Sequence, residues 1–304
     1  MKKSLMKKKC LLVFTAAVIS VPTFAQLNVV KSKVNALVSR EDMKSASLSF
    51  AIKDVSNGEL IYGFNERKTM PTASTVKLFT TATTLLTYGP DYSLTTPIYI
   101  NGPIINGVLK GDLIIRGAGD PSLGSKYFFD EESKDAFMKE WLKAVLDLNI
   151  GTIEGDVIAD GSSGGYEGVP DGWTWNDMGN YYGAGPSGCT VYDNLLRLTF
   201  SSSRIGELTR IKKISPDLPN VSFQNFVRAA RSNRDNAYVY GAPFQENRYV
   251  RGEIPYNRTS FEVKASVPDP EYLIAHSLKL YLEANGVGCK GDVNTARNLM
   301  DHYD

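Results

Sequence analysis

Between Ala46 and Ile52 the chain alternates. Ala46, Leu48, Phe50 and Ile52 fall on one side of an extended strand, with Ser47, Ser49 and Ala51 between them. After Asn57-Gly58 the same period returns in Leu60, Tyr62 and Phe64. Two period-2 runs about an Asn-Gly pair predict a β-hairpin. Helical spacing brackets this hairpin, first in Val30, Val34 and Leu37, then in a run from about Ser74 to Leu86. Composition shifts near Tyr92. From Ser93 to Asp120 the chain is punctuated by glycine and rich in short β runs (Ile98-Tyr99-Ile100, Leu113-Ile114-Ile115). One helix follows Asp130, with Phe137, Trp141, Val145 and Leu148 on a single face. Residues 152–265 return to short β runs, turns and aromatic loops. A last helix, about Glu271 to Asn285, carries Ile274, Leu278, Tyr281 and Leu282, with Gly286 as its C-cap. The pattern predicts an α/β (α+β) chain in three stretches after the N-terminus: a first part over 26–92, a β-rich insertion over 93–264, and a return to the first part over 265–304.

The first 25 residues change the reading of charge. Lys2, Lys3, Lys7, Lys8 and Lys9 precede a short apolar run from Cys10 to Val21, and Pro22-Thr23-Phe24-Ala25 offers a small-residue cleavage site. This predicts a signal peptide over 1–25 and export, to the periplasm or the medium of a bacterium. No later segment reaches the roughly 20 apolar residues of a membrane-spanning helix. Five of the 34 basic side chains and none of the 33 acidic ones precede residue 26, leaving 29 against 33 and a net charge of −4. That balance disfavours nucleic acid as a partner. Export permits a disulfide between Cys189 and Cys289 without requiring one; two unpaired small hydrophobes is the equal alternative.

Candidate chemistry centres on Ser74-Thr75-Val76-Lys77. A serine at a helix start and a lysine three residues later share one face. Serine is a weak nucleophile until a base takes its proton, and a lysine of depressed pKa does this without histidine. Partial burial beside other cations would supply that depression, and the helix N-terminus favours the charge that develops on the serine. Four residues alone are unspecific, since Ser4-Leu5-Met6-Lys7 also fits. Context selects Ser74: Met70 to Thr80 opens an apolar helix directly after a hairpin, at a sheet–helix junction. The only histidines, His276 and His302, stand in no Ser-His-Asp order and no metal-ligand spacing. No metal or other cofactor is expected.

At these residues the chain resembles the serine penicillin-binding proteins, whose motif set is Ser-x-x-Lys, Ser-x-Asn and Lys-Thr-Gly. It is most similar to the D-alanyl-D-alanine carboxypeptidase/endopeptidase class (class C, low molecular mass), which has large insertions between the first two motifs. The likeness rests on Pro71 to Leu78, Gly111-Asp112-Leu113, Gly117 to Pro121, Gly155-Asp156-Val157 with Asp160, Trp173 to Asp177, Tyr182 to Ser187, and Asp193-Asn194. It implies a β-lactamase-like transpeptidase domain, incomplete here, with a long β-rich insertion after the nucleophile helix. It further implies an acyl-enzyme on Ser74 with Lys77 as general base, peptidoglycan stem peptides as substrates, and β-lactam antibiotics as ligands. Asp177, Tyr182 and Trp175 would bind the free end of the diamino-acid side chain; a carboxylate beside aromatics suits an ammonium group. The likeness has a gap. After residue 187 the chain contains no Ser-x-Asn and no Lys-Thr-Gly, and Lys290-Gly291-Asp292 is a poor substitute. The expectation is therefore a C-terminally truncated fragment with little or no turnover. The alternatives are a non-catalytic peptidoglycan-binding protein and, less favoured, a serine β-lactamase.

Overall fold

The computed structural model describes residues 26–299 and divides into two compact units between Asp91 and Tyr92. Residues 1–25, whose pattern predicts a signal peptide, and His302 lie outside the described residues.

The first unit holds helix α1 (26–38), a two-stranded sheet and helix α2 (Val76–Tyr88). Strands β1 (Phe50–Lys53) and β2 (Leu60–Phe64) pair antiparallel, with Phe50 opposite Phe64 and Ile52 opposite Tyr62. The turn is tied by Asp54, whose carboxylate accepts from the Ser56 amide at 2.8 Å, and by Gly58, which takes the left-handed φ of +77°. Helix α2 contains no buried residue.

The second unit is built from β3 (Ile98–Asn101), β4 (Ile104–Ile105), β5 (Val108–Leu109), β6 (Asp112–Arg116), α3 (Ala136–Asp147), β7 (Thr152–Ile153), β8 (Val157–Asp160) and α4 (Trp175–Met178). It continues through β9 (Leu195–Ser202), β10 (Arg210–Ser215), β11 (Ser222–Ala230), β12 (Asn236–Tyr240), β13 (Asn247–Pro255) and β14 (Arg258–Ser266). The described chain closes with α5 (Pro270–Ala284), β15 (Gly288–Cys289), β16 (Val293–Thr295) and α6 (Ala296–Leu299).

One four-stranded sheet has the order β16-β8-β6-β3, and its β6, β8 and β16 run parallel. Parallel strands covered on both faces read as continuous apolar runs. Leu113-Ile114-Ile115 and Val157-Ile158-Ala159 are such runs, and all six residues are buried. Helix α5 packs on β8 and β16 and buries Leu273, Ile274, Ala275, Leu278 and Leu282. Asp269 caps it by accepting from the Tyr272 amide at 3.0 Å, and Gly286 follows its end at φ +87°. A smaller sheet, β15-β7-β5-β4, and two three-stranded sheets, β10-β9-β14 and β11-β13-β12, complete the unit.

The pattern predicts that 265–304 return to the first part of the chain, and the structure describes residues 265–299 of that stretch. In the structure they lie in the second unit, because β14 pairs along β9 and the apolar face of α5 meets β8. Strands β11, β13 and β14 are nine residues each, longer than the short β runs expected over 152–265. Among the described residues, Cys189 and Cys289 are free; Cys189 is buried and its thiol donates to the Asp160 carbonyl at 3.4 Å. His276 stacks on Tyr272 with centroids 5.9 Å apart and lies 3.6 Å from Asp217.

Candidate active site

Residues 73–75 form a single 3-10 turn that leads into α2. Ala73, immediately before the serine, has φ +44°. A left-handed alanine costs on the order of 1 kcal/mol or more, and strained backbone of this kind gathers at functional sites. Thr75 fixes the turn by donating its hydroxyl to the Thr72 carbonyl. One turn on, Lys77 Nζ lies 3.4 Å from Ser74 Oγ, with the ammonium donating. Spacing along the helix thus places both groups within a proton's reach. Both side chains are exposed, so the partial burial expected for Lys77 is not found in this unit.

The three residues expected to bind substrate belong to the second unit, where Asp177 lies beside Tyr182 and Trp175 stands two positions before Asp177 on the same short helix. Helix α4 carries Trp175 and Asp177. Thr174 Oγ1 donates to Asp177 Oδ2 at 3.0 Å, which holds the carboxylate beside the helix start. Asn180 then locks the loop to the neighbouring sheet: its amide donates to the Asn176 carbonyl at 2.6 Å, and its side-chain oxygen accepts from the Val239 amide at 2.9 Å. It is 3% exposed. Gly179 and Gly183 permit this close approach, since a Cβ at either would collide with the carbonyl of Val239 or Asp177. Tyr182 packs edge-on against Tyr181, centroids 5.2 Å apart. Burial, followed by the charge of Asp177 and the nearby Tyr238, raises the Tyr182 hydroxyl above its ordinary pKa. Trp175 lies 6.5 Å from Tyr240 on β12.

Asn180 is a positioning residue that sequence reasoning missed. Its signal was weak, an asparagine among aromatics, and its partner Val239 is 59 positions away. A cavity of about 440 Å³ lies elsewhere in the second unit, lined by Asp135, Tyr192, Asp193 and Arg197 among others. The chemistry of nucleophile and base stands on residues outside it. No group of three or more His, Cys, Asp or Glu among the described residues is arranged to hold a metal ion.

The family model described as "D-Ala-D-Ala carboxypeptidase 3 (S13) family" matches residues 30–302. The chain belongs to this family. Among curated relatives, D-alanyl-D-alanine carboxypeptidase DacB of Haemophilus influenzae is 25% identical over 278 residues, covering 90% of this chain and 54% of the relative. The D-alanyl-D-alanine carboxypeptidase of Actinomadura sp. (strain R39) is 26% identical, covering 92% of this chain and 51% of the relative. Penicillin-sensitive carboxypeptidase A of Dictyostelium discoideum is 26% identical, covering 76% of this chain and 46% of the relative. The chain therefore spans about half the length of the curated relatives it matches. The crystal structure of penicillin-binding protein 4 from H. influenzae superposes with a TM-score of 0.63 at 22% identity, covering 80% of this chain and 52% of that one. A second structure of that protein, in complex with a β-lactam, matches with a TM-score of 0.56. The fold is that of these penicillin-binding proteins over the part the chain shares with them.

Proposed function

We propose that the protein is a serine hydrolase of peptidoglycan stem peptides, exported to the cell envelope, with Ser74 as nucleophile and Lys77 as general base. The observation that carries this reading is the 3.4 Å approach of Lys77 Nζ to Ser74 Oγ at a turn strained by a left-handed Ala73. In its neutral form Lys77 takes the hydroxyl proton as Ser74 Oγ attacks the D-Ala-D-Ala carbonyl. The leaving D-alanine amine recovers a proton, and water releases the acyl-enzyme. A β-lactam acylates the same oxygen by ring opening. The family and the names of its relatives, three of them carboxypeptidases, support the substrate class. Asp177, Tyr182 and Trp175 would receive the ammonium of the diamino-acid side chain.

Turnover by these residues alone should be slight. The sequence carries Ser-x-x-Lys but no Ser-x-Asn or Lys-Thr-Gly, and loss of a single oxyanion donor costs roughly 100-fold in rate. Acylation and turnover are therefore tested apart. The chain is incubated with excess fluorescent penicillin and the adduct mapped by mass spectrometry. One penicillin on the peptide containing Ser74, absent from Ser74→Ala and sharply reduced in Lys77→Met, is expected. An adduct on another residue, or none at Ser74, overturns the assignment.

A second reading has its own support: the Asp177–Tyr182–Trp175 group is held within the second unit by bonds that do not involve Ser74. A purely binding protein would be retained on insoluble peptidoglycan, indifferent to Ser74→Ala and released by Asp177→Ala, while taking no penicillin.

A further inference from the structure

We propose that the outward face of the β11-β13-β12 sheet binds the sugar strand of a β-linked, N-acetylated glycan; the choice of glycan rests on the peptidoglycan reading above. The opposite face of this sheet is core, where Val227, Ala229, Val239, Val250 and Ile254 are buried. An antiparallel or mixed sheet with one solvated face normally carries polar residues on it. Here the ladder brings aromatic residues to that face in rows. Gln224, Tyr249 and Tyr240 align across the three strands, and beside them Phe226, Arg251 and Tyr238 align. Tyr240 and Tyr249 stack in parallel with centroids 4.9 Å apart and planes 10° off. Phe226 meets Tyr249 edge-on at 6.5 Å, and Trp175 extends the row from Tyr240 at 6.5 Å. The ridge is open to solvent: Phe226 is 51% exposed and Tyr238 46%.

The occupant follows from how polar groups interleave with the rings. A pyranose offers an apolar C–H face that lies flat on an aromatic ring, and a rim of hydroxyl and acetamido groups in its own plane. The aromatic side chains supply rigid apolar area at little entropic cost. Gln224, Arg251, Glu253 and Asn236 stand between and beside them, giving planar donors and acceptors at the level of the rim. A protein partner would favour a continuous dry centre depleted of charge, whereas Arg251 separates Phe226 from Tyr238. Nucleic acid would require a basic surface; the chain from residue 26 is net acidic, and Glu253 sits opposite Arg228 in this ladder. The platform also runs into the Asp177–Tyr182 group through Trp175, so a glycan on the sheet would present its peptide branch to that group.

The test uses this chain and a hexamer of β-1,4-linked N-acetylglucosamine, which has no peptide and no scissile acyl group. Binding is followed by tryptophan fluorescence and calorimetry. We expect saturable binding that weakens about tenfold in Tyr249→Ala and likewise in Phe226→Ala. Phe226→Tyr should retain the affinity, as should Ser74→Ala. Denaturation midpoints of the alanine variants within error of the parent separate lost contact from lost fold. No saturable binding, or binding indifferent to both alanine substitutions, overturns the platform even if Ser74 takes penicillin. Hexamer binding that meets these criteria without labelling of Ser74 upholds the platform while the acyl-transfer reading falls.

Discussion

Glu271 should make the second unit less stable as pH rises, and Glu271→Gln should remove that dependence. The residue occupies the first turn of α5, where a carboxylate would ordinarily be favoured by the helix dipole. Burial outweighs this. Its side chain lies against Gly161, where a Cβ would collide with the carboxylate, and the residue is 2% exposed. Its Oε2 has no hydrogen-bond partner among the described residues. Desolvation, then the neighbouring carboxylates of Asp269 and Asp160, push its pKa from 4.5 up to about 7, against the pull of Arg297. The sign follows by linkage. Below about pH 4.5 both folded and unfolded chains hold the proton, and Glu271 adds no pH dependence. Between 4.5 and 7 only the folded chain holds it, so stability falls as pH rises. Above 7 the loss is complete. A shift of that size corresponds to about 3 kcal/mol. Glutamine keeps the shape without the charge, and Arg297 keeps its partner Asp269 at 2.5 Å. Urea denaturation at pH 5, 6, 7 and 8, read by the fluorescence of buried Trp141, should show the two proteins nearly equal at pH 5. At pH 8 the variant should be more stable by about 3 kcal/mol. A difference that does not change with pH, or a parent that remains the more stable at pH 8, would refute the reasoning.

Arg248 is 2% exposed and gives its guanidinium to the carbonyls of Ser266 at 2.7 Å and Ala242 at 3.1 Å, with its own pKa drawn down to about 10 by burial. Arg248→Met leaves those acceptors unpaired and should cost about 3 kcal/mol in a urea titration; a loss below about 1 kcal/mol would contradict this accounting. Asp177→Asn removes a charge that opposes ionisation of Tyr182, so the Tyr182 phenol should titrate at lower pH, as seen by ultraviolet difference spectroscopy. Leu86→Gln, at an exposed position of α2, should leave stability within about 0.5 kcal/mol. Leu278→Ala, wholly buried in α5, should cost about 2–5 kcal/mol by the same denaturation assay.

Local pattern made much of the fold legible. The Asn57-Gly58 hairpin, the helix with Phe137 and Trp141, and the α5 helix with its Gly286 cap each rest on neighbours within a few residues, and each forms where spacing places it. Partnership across the chain was not legible. Nothing in the run from Pro270 shows that its apolar face belongs on β8, more than a hundred positions earlier. The long strands were hidden for a different reason. In β11 and β13 aromatic residues stand on the solvent side of an otherwise regular alternation, so the period reads as irregular loop. In the candidate site, Ser74 and Lys77 were readable because helical spacing alone joins them. Asn180 was not, because its work is done on Val239.

Helix α2 joins the packing of this protein to its chemistry. Leu78 is 73% exposed, Phe79 70% and Leu86 88%, although the helix contains almost no charge besides Lys77. Each large apolar side chain gains about 1.5–3 kcal/mol when removed from water. A contiguous surface of such residues marks a contact face rather than a solvated one. The same surface flanks Lys77. A lysine in water holds its proton at neutral pH and cannot take one from serine; it becomes a base when desolvation or a nearby cation lowers its affinity for the proton. Cover over Leu78 and Phe79 would therefore supply the packing energy the helix lacks and the dry surroundings the base needs. On the acyl-transfer reading proposed above, burial of α2 would serve both needs at once. A useful measure is the rate of penicillin acylation against pH. With α2 open to water the rate at neutral pH should be low. With α2 covered, the rate at the same pH should rise. Acylation at neutral pH that does not rise once Leu78 and Phe79 are protected from solvent would separate the packing of this helix from its chemistry.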